Sequence, residues 1–341
     1  KRKDFIKKEI EKVLKKKNLI IENNEKLLDE VNNLIDQPHI IECSFDKKFL
    51  SIPKEILVLT MQSHQKYFPL FTKKQEITSE FIVIANKKDN KGLIKIGNER
   101  VVKARLDDAE FFWNKDKSQN LVKKVSSLKN MNFFKGLGTY FDKVQRMRKL
   151  AAIISDELLI SKEKVELSAT ICKTDLISEI VGEFPELQGI MGGHLSHVQG
   201  FDKEISDAVK EQYLPIGPHS NICKKPYSIT LSLSDRIDTL IGFFGINEKP
   251  SSSKDPYALR RIAHGIIRIL IENKKDIKIN DIVSYSSNIY LDQGFQFSNN
   301  ELIKDISNFL KDRFKYYLKE KNFRHDIIDA SAKILDLNKI S

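Results

Sequence analysis

A chain of 341 residues, 40 % hydrophobic and 31 % charged, carries enough apolar material for two or three domains with cores of their own, which excludes a disordered tail. No run approaches the roughly eighteen apolar residues of a membrane-spanning helix, since the greasiest, 262–271, is interrupted by His264, Gly265 and Arg268. The 58 Lys+Arg against 47 Asp+Glu give a formal net charge of +11, which favours polyanionic partners, nucleic acid first among them. Three scattered cysteines (Cys43, Cys172, Cys223) build neither a disulfide framework nor a CxxC metal pair. With no basic–apolar leader pattern, the expected location is a reducing cytoplasm. A first residue other than Met points to a piece of a longer protein.

Residues 1–36 read as a helical lead-in, with Phe5, Ile6, Ile10 and Leu14, then Leu27, Leu28, Val31, Leu34 and Ile35, at helical spacing. From Pro38 the texture changes: the apolar runs 39–43, 56–60 and 81–85 read as strands, so residues 37–130 form a mixed α/β module. From Asn98 onward helices dominate, punctuated by Gly and Pro, and residues 131–275 read as an all-α module. A Ser-rich break at 251–253 separates a helix ending near Phe244 from one starting at Pro256. Residues 274–300 read as polar and irregular. A last helix, Leu302–Lys319, carries Ile306, Phe309, Leu310, Phe314 and Leu318 on one side, within a helical segment 276–341. The predicted fold class is α+β: an N-terminal mixed α/β module, then a mainly helical module and further helices.

Three segments are candidates for chemistry. In residues 97–113, Asn98 is placed as a helix cap after a Gly97 turn, with Val102, Leu106, Ala109 and Trp113 as a buried stripe. The opposite side is either a solvated face with pairs such as Glu99–Lys103, or a surface on which Arg100, Lys103 and Arg105 touch a phosphate backbone. In residues 251–271, Asp255 is placed as N-cap and Pro256 at the first helical position. Leu259, Ile262, Ala263, Ile266 and Leu270 make a core face. Tyr257, Arg261, His264 and Arg268 make a basic face, flanked by Arg260 and preceded by Lys254. Arginine forks donate in pairs to phosphates, but equally to neighbouring acids. In residues 172–192, Asp175, Glu179 and Glu183 fall at i, i+4, i+8 and repel one another unless lysines, a metal or water intervene. Asp235 and Asp238 add carboxylates, yet His194 and His197 find no third ligand at useful spacing. His64–Phe68 reads either as a base-stacking patch or as a half-buried strand or turn. Gly136-Leu137-Gly138 lacks the rest of a nucleotide loop, and no catalytic triad assembles.

Six strings, taken in order, carry a resemblance: TMQSHQKYFPLF (Thr60–Phe71), GNERVVKARLDDAEFF (Gly97–Phe112), GLGTYFDKVQRM (Gly136–Met147), DLISEIVGEFPELQGIMG (Asp175–Gly192), SDRIDTLIGFF (Ser234–Phe244) and SSSKDPYALRR (Ser251–Arg261). With FRHDIIDA (Phe323–Ala330), they resemble the β subunit of bacterial tetrameric glycyl-tRNA synthetase. The resemblance implies an α2β2 enzyme that joins glycine to tRNA-Gly using ATP and magnesium. The active site and both of those ligands belong to the α subunit, so no cofactor and no catalytic residue is expected in this chain. The β subunit grips tRNA, with no membrane association. The resemblance further implies that the helical module is similar to HD phosphohydrolases, that an anticodon-binding domain lies beyond the chain, and that the chain is an internal fragment.

At the position matching the HD motif the sequence reads Lys173-Thr174-Asp175; a charged ammonium cannot ligate a metal, so this is a degenerate site whose Lys173 neutralises Asp175 or Glu179. Residues 193–200 depart from the family wording, where aromatic residues are expected. The phosphate contacts expected for tRNA are Arg100, Lys103, Arg105, Lys254, Arg260, Arg261 and Arg268. Two rival functions make different demands: a metal-dependent HD-type nucleotide phosphohydrolase needs a metal near Asp175 and Asp238, and a purely structural piece would contact the α subunit alone.

Overall fold

A computed structural model describes residues 1–251 and 253–334. They divide into two compact units: 1–118 with 183–187, and 119–182 with the residues from 188 onward.

The first unit is a small antiparallel sheet dressed with helices. Helix α1 (Arg2–Lys17) ends at Asn18, whose left-handed φ of 57° closes it, with three lysines in the last turn where the helix dipole favours cations. Helix α2 (Glu25–Leu34) is capped by the Asn24 side chain, which accepts from Leu27 N at 3.0 Å. The strands β1 (His39–Ser44), β2 (Phe68–Phe71) and β3 (Ile77–Ala85) take the order β1-β3-β2, with β1 and β3 in register from His39↔Ala85 to Ser44↔Glu80. Ile6, Ile10, Leu27, Leu28 and Val31 pack with Phe68, Leu70, Ile82 and Ile84 in one core. Pro69 sits on edge strand β2, where a missing donor is tolerated, and Ile20 covers part of that edge through reciprocal 2.8 Å backbone bonds with Phe71.

Two readings are corrected here. The run 56–60 is no strand: helix α3 (Lys54–Leu59) continues into a wider turn over Thr60–His64, and the buried positions Ile56, Leu57, Thr60 and Met61 repeat with helical period. A five-residue apolar run contains too little periodicity to separate the two. Helix α4 (Leu93–Lys117) starts before Gly97, and Asn98 lies inside it. The capping falls to the Asp89 carboxylate, which accepts from Ile94 N and Lys95 N at 3.2 and 2.8 Å; the Asn98 amide donates instead to Ile94 O and accepts from the Tyr67 hydroxyl. The stripe Val102, Leu106, Ala109 and Trp113 is buried as its spacing predicts.

The second unit is helical apart from a hairpin, β4 (Asn132–Phe134) with β5 (Gly138–Thr139). Gly136 in its turn and Gly138 at the start of β5 have φ of 86° and 79°, which only glycine adopts freely. The helices are α5 (Leu121–Lys124), α6 (Tyr140–Leu158), α7 (Lys162–Ile171), α8 (Glu179–Glu183), α9 (Ile190–Val198), α10 (Lys203–Glu211), α11 (Pro226–Gly245), α12 (Leu259–Glu272), α13 (Ile279–Asp292), α14 (Asn299–Glu320) and α15 (His325–Ile334). Thr139 and Asp142 form a reciprocal capping box on α6.

Helix α11 is buried along nearly its whole length and forms the centre of the core, with α12, α13 and α14 around it. Residues 279–292 are therefore not irregular: Ile279, Ile282, Val283, Ile289 and Tyr290 are buried, and Ser286 and Ser287 are buried with them. Helix α14 buries Leu302, Ile306, Leu310, Phe314 and Tyr317. All three cysteines are buried and free. No helix of the described residues is long and apolar enough to cross a membrane.

Candidate nucleic-acid interface

The triplet Lys173-Thr174-Asp175, expected to be a degenerate HD-like position, lies in the core of the second unit, at a short 3-10 turn. That turn breaks the helical register, so the acidic row does not form: Asp175 is buried while Glu179 and Glu183 are exposed. Asp175 Oδ2 accepts from the backbone N–H of Gly189 and, at 3.1 Å, of Gly192. Gly192 has to be glycine for this approach, because a Cβ there would meet Asp175 Oδ2 at 3.1 Å and Val209 at 2.8 Å. Burial pushes the Asp175 carboxyl up to about 6, against the two N–H donors that hold it down.

Lys173 does not neutralise Asp175 or Glu179. Its ammonium lies 2.9 Å from Asp235 Oδ2 and donates to the Tyr213 hydroxyl at 3.0 Å. Lys143 Nζ takes the other oxygen of Asp235 at 2.9 Å and reaches Asp238 at 3.0 Å, while Arg146 Nε donates to Asp238 at 2.7 Å. Burial alone would lower the Lys173 ammonium, but Asp235 beside it turns the balance upward. Burial would likewise raise Asp235; Lys143 and Lys173 hold it well below the usual carboxylate range instead.

Three cations thus fill the acceptors of two acids. This donor set does not fit a metal, and among the described residues no three His, Cys, Asp or Glu side chains are grouped to hold one. The metal-dependent hydrolase reading is therefore not favoured. The cluster is a structural lock between α6, α11 and the 173–175 turn.

The expected phosphate contacts separate into three situations. Arg100, Lys103 and Arg105 are exposed on α4. Lys103 pairs with Asp107 at 2.5 Å, whereas Arg100 and Arg105 have no acid partner among the described residues. Arg105 borders a small pocket with His64, Asp108, Phe112 and Phe184. The sequence reading missed that α4 also exposes Leu93, Ile96, Val101 and Phe111.

Helix α12 starts at Leu259, later than expected, because Ala258 adopts a left-handed φ of 54°. Asp255 still caps it from a distance, accepting from Leu259 N and Arg260 N at 2.8 and 2.9 Å. Lys254 is exposed, and Arg260 donates to Ser251 O and Lys254 O. Arg261 is exposed, with no ion pair or hydrogen bond from its side chain among the described residues.

The basic face does not continue along the helix. Tyr257 stacks on Phe243 at 4.6 Å and belongs to the core. Arg268 is buried; it pairs with Glu272 at 2.7 Å and donates to Gly217 O at 3.0 Å. Periodicity put Arg268 on the right face, but the loop around Gly217 covers that end of it.

What replaces the continuous face is a cleft of about 400 Å³ at the start of α12. Arg260, Arg261, His264 and Gly265 line it from α12, Arg313 and Tyr316 from α14, and Pro215, Gly217 and Pro218 from the facing loop. Arg313, which no sequence signal marked, has its guanidinium 5.8 Å from the Phe309 ring and 5.6 Å from Tyr316, and its buried Nε lacks a hydrogen-bond partner. The loop wall is held by buried Arg236, which donates to Tyr213 O at 3.0 Å and Pro215 O at 2.9 Å. No acid lines the cleft, so it is a fixed, concave, cationic site suited to an anion.

A family model described as glycyl-tRNA synthetase beta subunit matches residues 1–333. The chain belongs to the glycyl-tRNA synthetase beta subunit family. It is 37 % identical over 318 residues to the glycine–tRNA ligase beta subunit of Rhodospirillum centenum, covering 92 % of this chain and 44 % of the relative. It is 36 % identical over 334 residues to that of Listeria monocytogenes serotype 4b, covering 96 % and 48 %. For the Acinetobacter baylyi protein of the same name the identity is 40 % over 306 residues, covering 89 % and 44 %. The chain spans just under half the length of these curated relatives.

Proposed function

We propose that this chain is the part of a glycine–tRNA ligase beta subunit that holds tRNA-Gly in position while a partner alpha subunit, in an α2β2 assembly in the cytoplasm, attaches glycine. In this reading ATP and magnesium act on the alpha subunit, and this chain supplies no reacting group. Its contribution is orientation, which for a bound reactant is worth several kcal/mol of barrier, roughly 7–11 in the best intramolecular cases. The observation that carries the reading is the arginine-lined cleft at the start of α12, where Arg260, Arg261 and Arg313 converge with no acid among them. Exposed Arg100 and Arg105 on α4 add a second cationic surface in the first unit. The hydrolase alternative loses its support because Asp235 and Asp238 are saturated by Lys143, Arg146 and Lys173.

The test is titration of the full-length subunit, alone and with its partner, against tRNA-Gly and a non-cognate tRNA. Arg261→Glu should weaken tRNA binding about tenfold, as the loss of a charge-assisted phosphate contact would. Unchanged tRNA binding by both Arg261→Glu and Arg100→Glu, with the alpha subunit still bound, would instead leave the chain as a structural piece of the assembly.

A further inference from the structure

The cleft is more specific than a basic patch needs to be. A patch that neutralises a duplex backbone can be flat and made of mobile side chains. Here the cations lie in a concavity of about 400 Å³, within the range of small-ligand pockets. Arg260 is anchored to Ser251 O and Lys254 O, while Arg313 lies between Phe309 and Tyr316. Tyr316 is 46 % exposed at the rim, and its ring and that of His264 meet in a T-shape at 5.6 Å.

His264 supplies an independent observation at the cleft, a buried Nδ1 with no hydrogen-bond partner. It is 7 % exposed, yet neither ring nitrogen has a hydrogen-bond partner; its Nε2 lies 3.4 Å from Glu320 Oε2 without a hydrogen bond. Buried polar atoms are rarely left so. Glu272 and Glu320 line an adjoining cleft, with Glu320 beside both His264 and Tyr316, while Arg260, Arg261 and Arg313 line this one.

We propose that this cleft takes one unpaired nucleotide of the bound RNA, its phosphate held by Arg260, Arg261 and Arg313 beside His264, and its base stacked on Tyr316. The chemistry follows that of single-strand recognition, in which arginines track the phosphate and an exposed aromatic ring supplies a stacking platform indifferent to base identity. A duplex presents phosphates but no free base face, so it can use the arginines and not the tyrosine. The inference rests on the proposed tRNA-binding role and narrows it to a place and a conformation of the RNA.

The experiment uses the full-length subunit assembled with its partner. Competition against labelled tRNA-Gly is measured for three probes: a four-nucleotide single-stranded RNA, a blunt RNA duplex, and AMP. The single strand should compete at least about tenfold better than the duplex, and Tyr316→Ala should remove that advantage without changing competition by the duplex. Arg313→Lys keeps the charge but loses the fork, and should weaken the single strand selectively. Equal competition by strand and duplex, or a Tyr316→Ala protein that retains the preference, overturns the nucleotide pocket while leaving tRNA binding itself standing. AMP competing better than the single strand would overturn the RNA source in favour of a free nucleotide. Failure of the wild-type assembly to bind tRNA at all would count against the proposed function, a different result from any of these.

Discussion

Arg261 and Arg268 stand two helical turns apart on the same face of α12, and the sequence treats them alike. The structure gives them opposite tasks. Arg261 is exposed with an unengaged guanidinium, while Arg268 is buried, paired with Glu272 and donating to Gly217 O. Arg261→Glu should leave the thermal midpoint nearly unchanged, within the roughly 0.5 kcal/mol typical of surface changes. Arg268→Glu should cost about 3–5 kcal/mol, because it sets two carboxylates together in a covered site. Differential scanning calorimetry of the two variants checks the contrast, and equal stability losses would contradict the assignment. Spacing fixes which face a residue occupies; it carries no information about what a distant loop lays over that face.

Asp175 offers a residue-scale test with a definite sign. Its folded carboxyl is pushed up to about 6, above the roughly 3.9 of an unfolded chain. The folded state therefore binds the proton more tightly than the unfolded state. The associated stability is fully present below about pH 4 and is lost as the pH rises toward 6, by up to about 3 kcal/mol. Asp175→Asn keeps a side-chain oxygen for the Gly189 and Gly192 donors and removes the titration. Across pH 4 to 7 the wild type should lose stability relative to the variant, as read from urea midpoints at each pH. A difference that stays constant or moves the other way would show that the carboxyl stays ionised when buried.

Among elements, the wall of the arginine cleft depends on a glycine. Gly265 sits on α12 where Arg236 crosses to reach the 212–215 loop, and a Cβ at Gly265 would lie 2.7 Å from Arg236 Nε. That atom is mid-chain and fixed by the bonds beyond it to Tyr213 O and Pro215 O, so it cannot swing aside cheaply. Gly265→Ala should therefore destabilise the protein by about 1–3 kcal/mol, despite alanine's better helix propensity. It should also loosen the 213–218 segment, seen as faster amide exchange there than elsewhere in the second unit.

The same scale shows what was legible. Long stripes were: Val102, Leu106, Ala109 and Trp113 on α4, and Leu259, Ala263, Ile266 and Leu270 on α12, are buried as read, with Ile262 of the same face half-buried. Helix starts were not, because Asp89 and Asp255 cap from several residues upstream through folded-back loops. Nor was α13, whose apolar positions are interrupted by Asn and Ser, of which Ser286 and Ser287 are themselves buried.

At the scale of the whole molecule, the net charge of +11 alone was weak evidence for RNA, because it does not say which of the 58 Lys+Arg lack an acid beside them. In the lysine-rich first helix, Lys3 and Lys7 pair with Glu25 and Lys17 with Glu42 and Glu80. Arg100 and Arg105 on α4 in one unit, and Arg261 at the α12 start in the other, are exposed cations with no acid partner among the described residues. Arg313, the residue that completes the cleft, comes from a helix far along the chain and only folding brings it there.

On the proposed function this distribution predicts a particular salt response. Each phosphate contact releases counterions, so the slope of log K against log salt should fall by about 0.7–0.9 for each contact removed. Arg261→Ala with Arg313→Ala should flatten the slope by about two such steps, and Arg100→Ala with Arg105→Ala by about two more if both surfaces meet the RNA. Removing Lys3 and Lys7, which already face Glu25, should change the slope little. Because the pairs lie in separate units with no shared partner, their effects should add. If the lysine pair flattens the slope as much as the arginine pairs, the RNA is held by diffuse charge, and neither the cleft nor α4 is the surface that positions it.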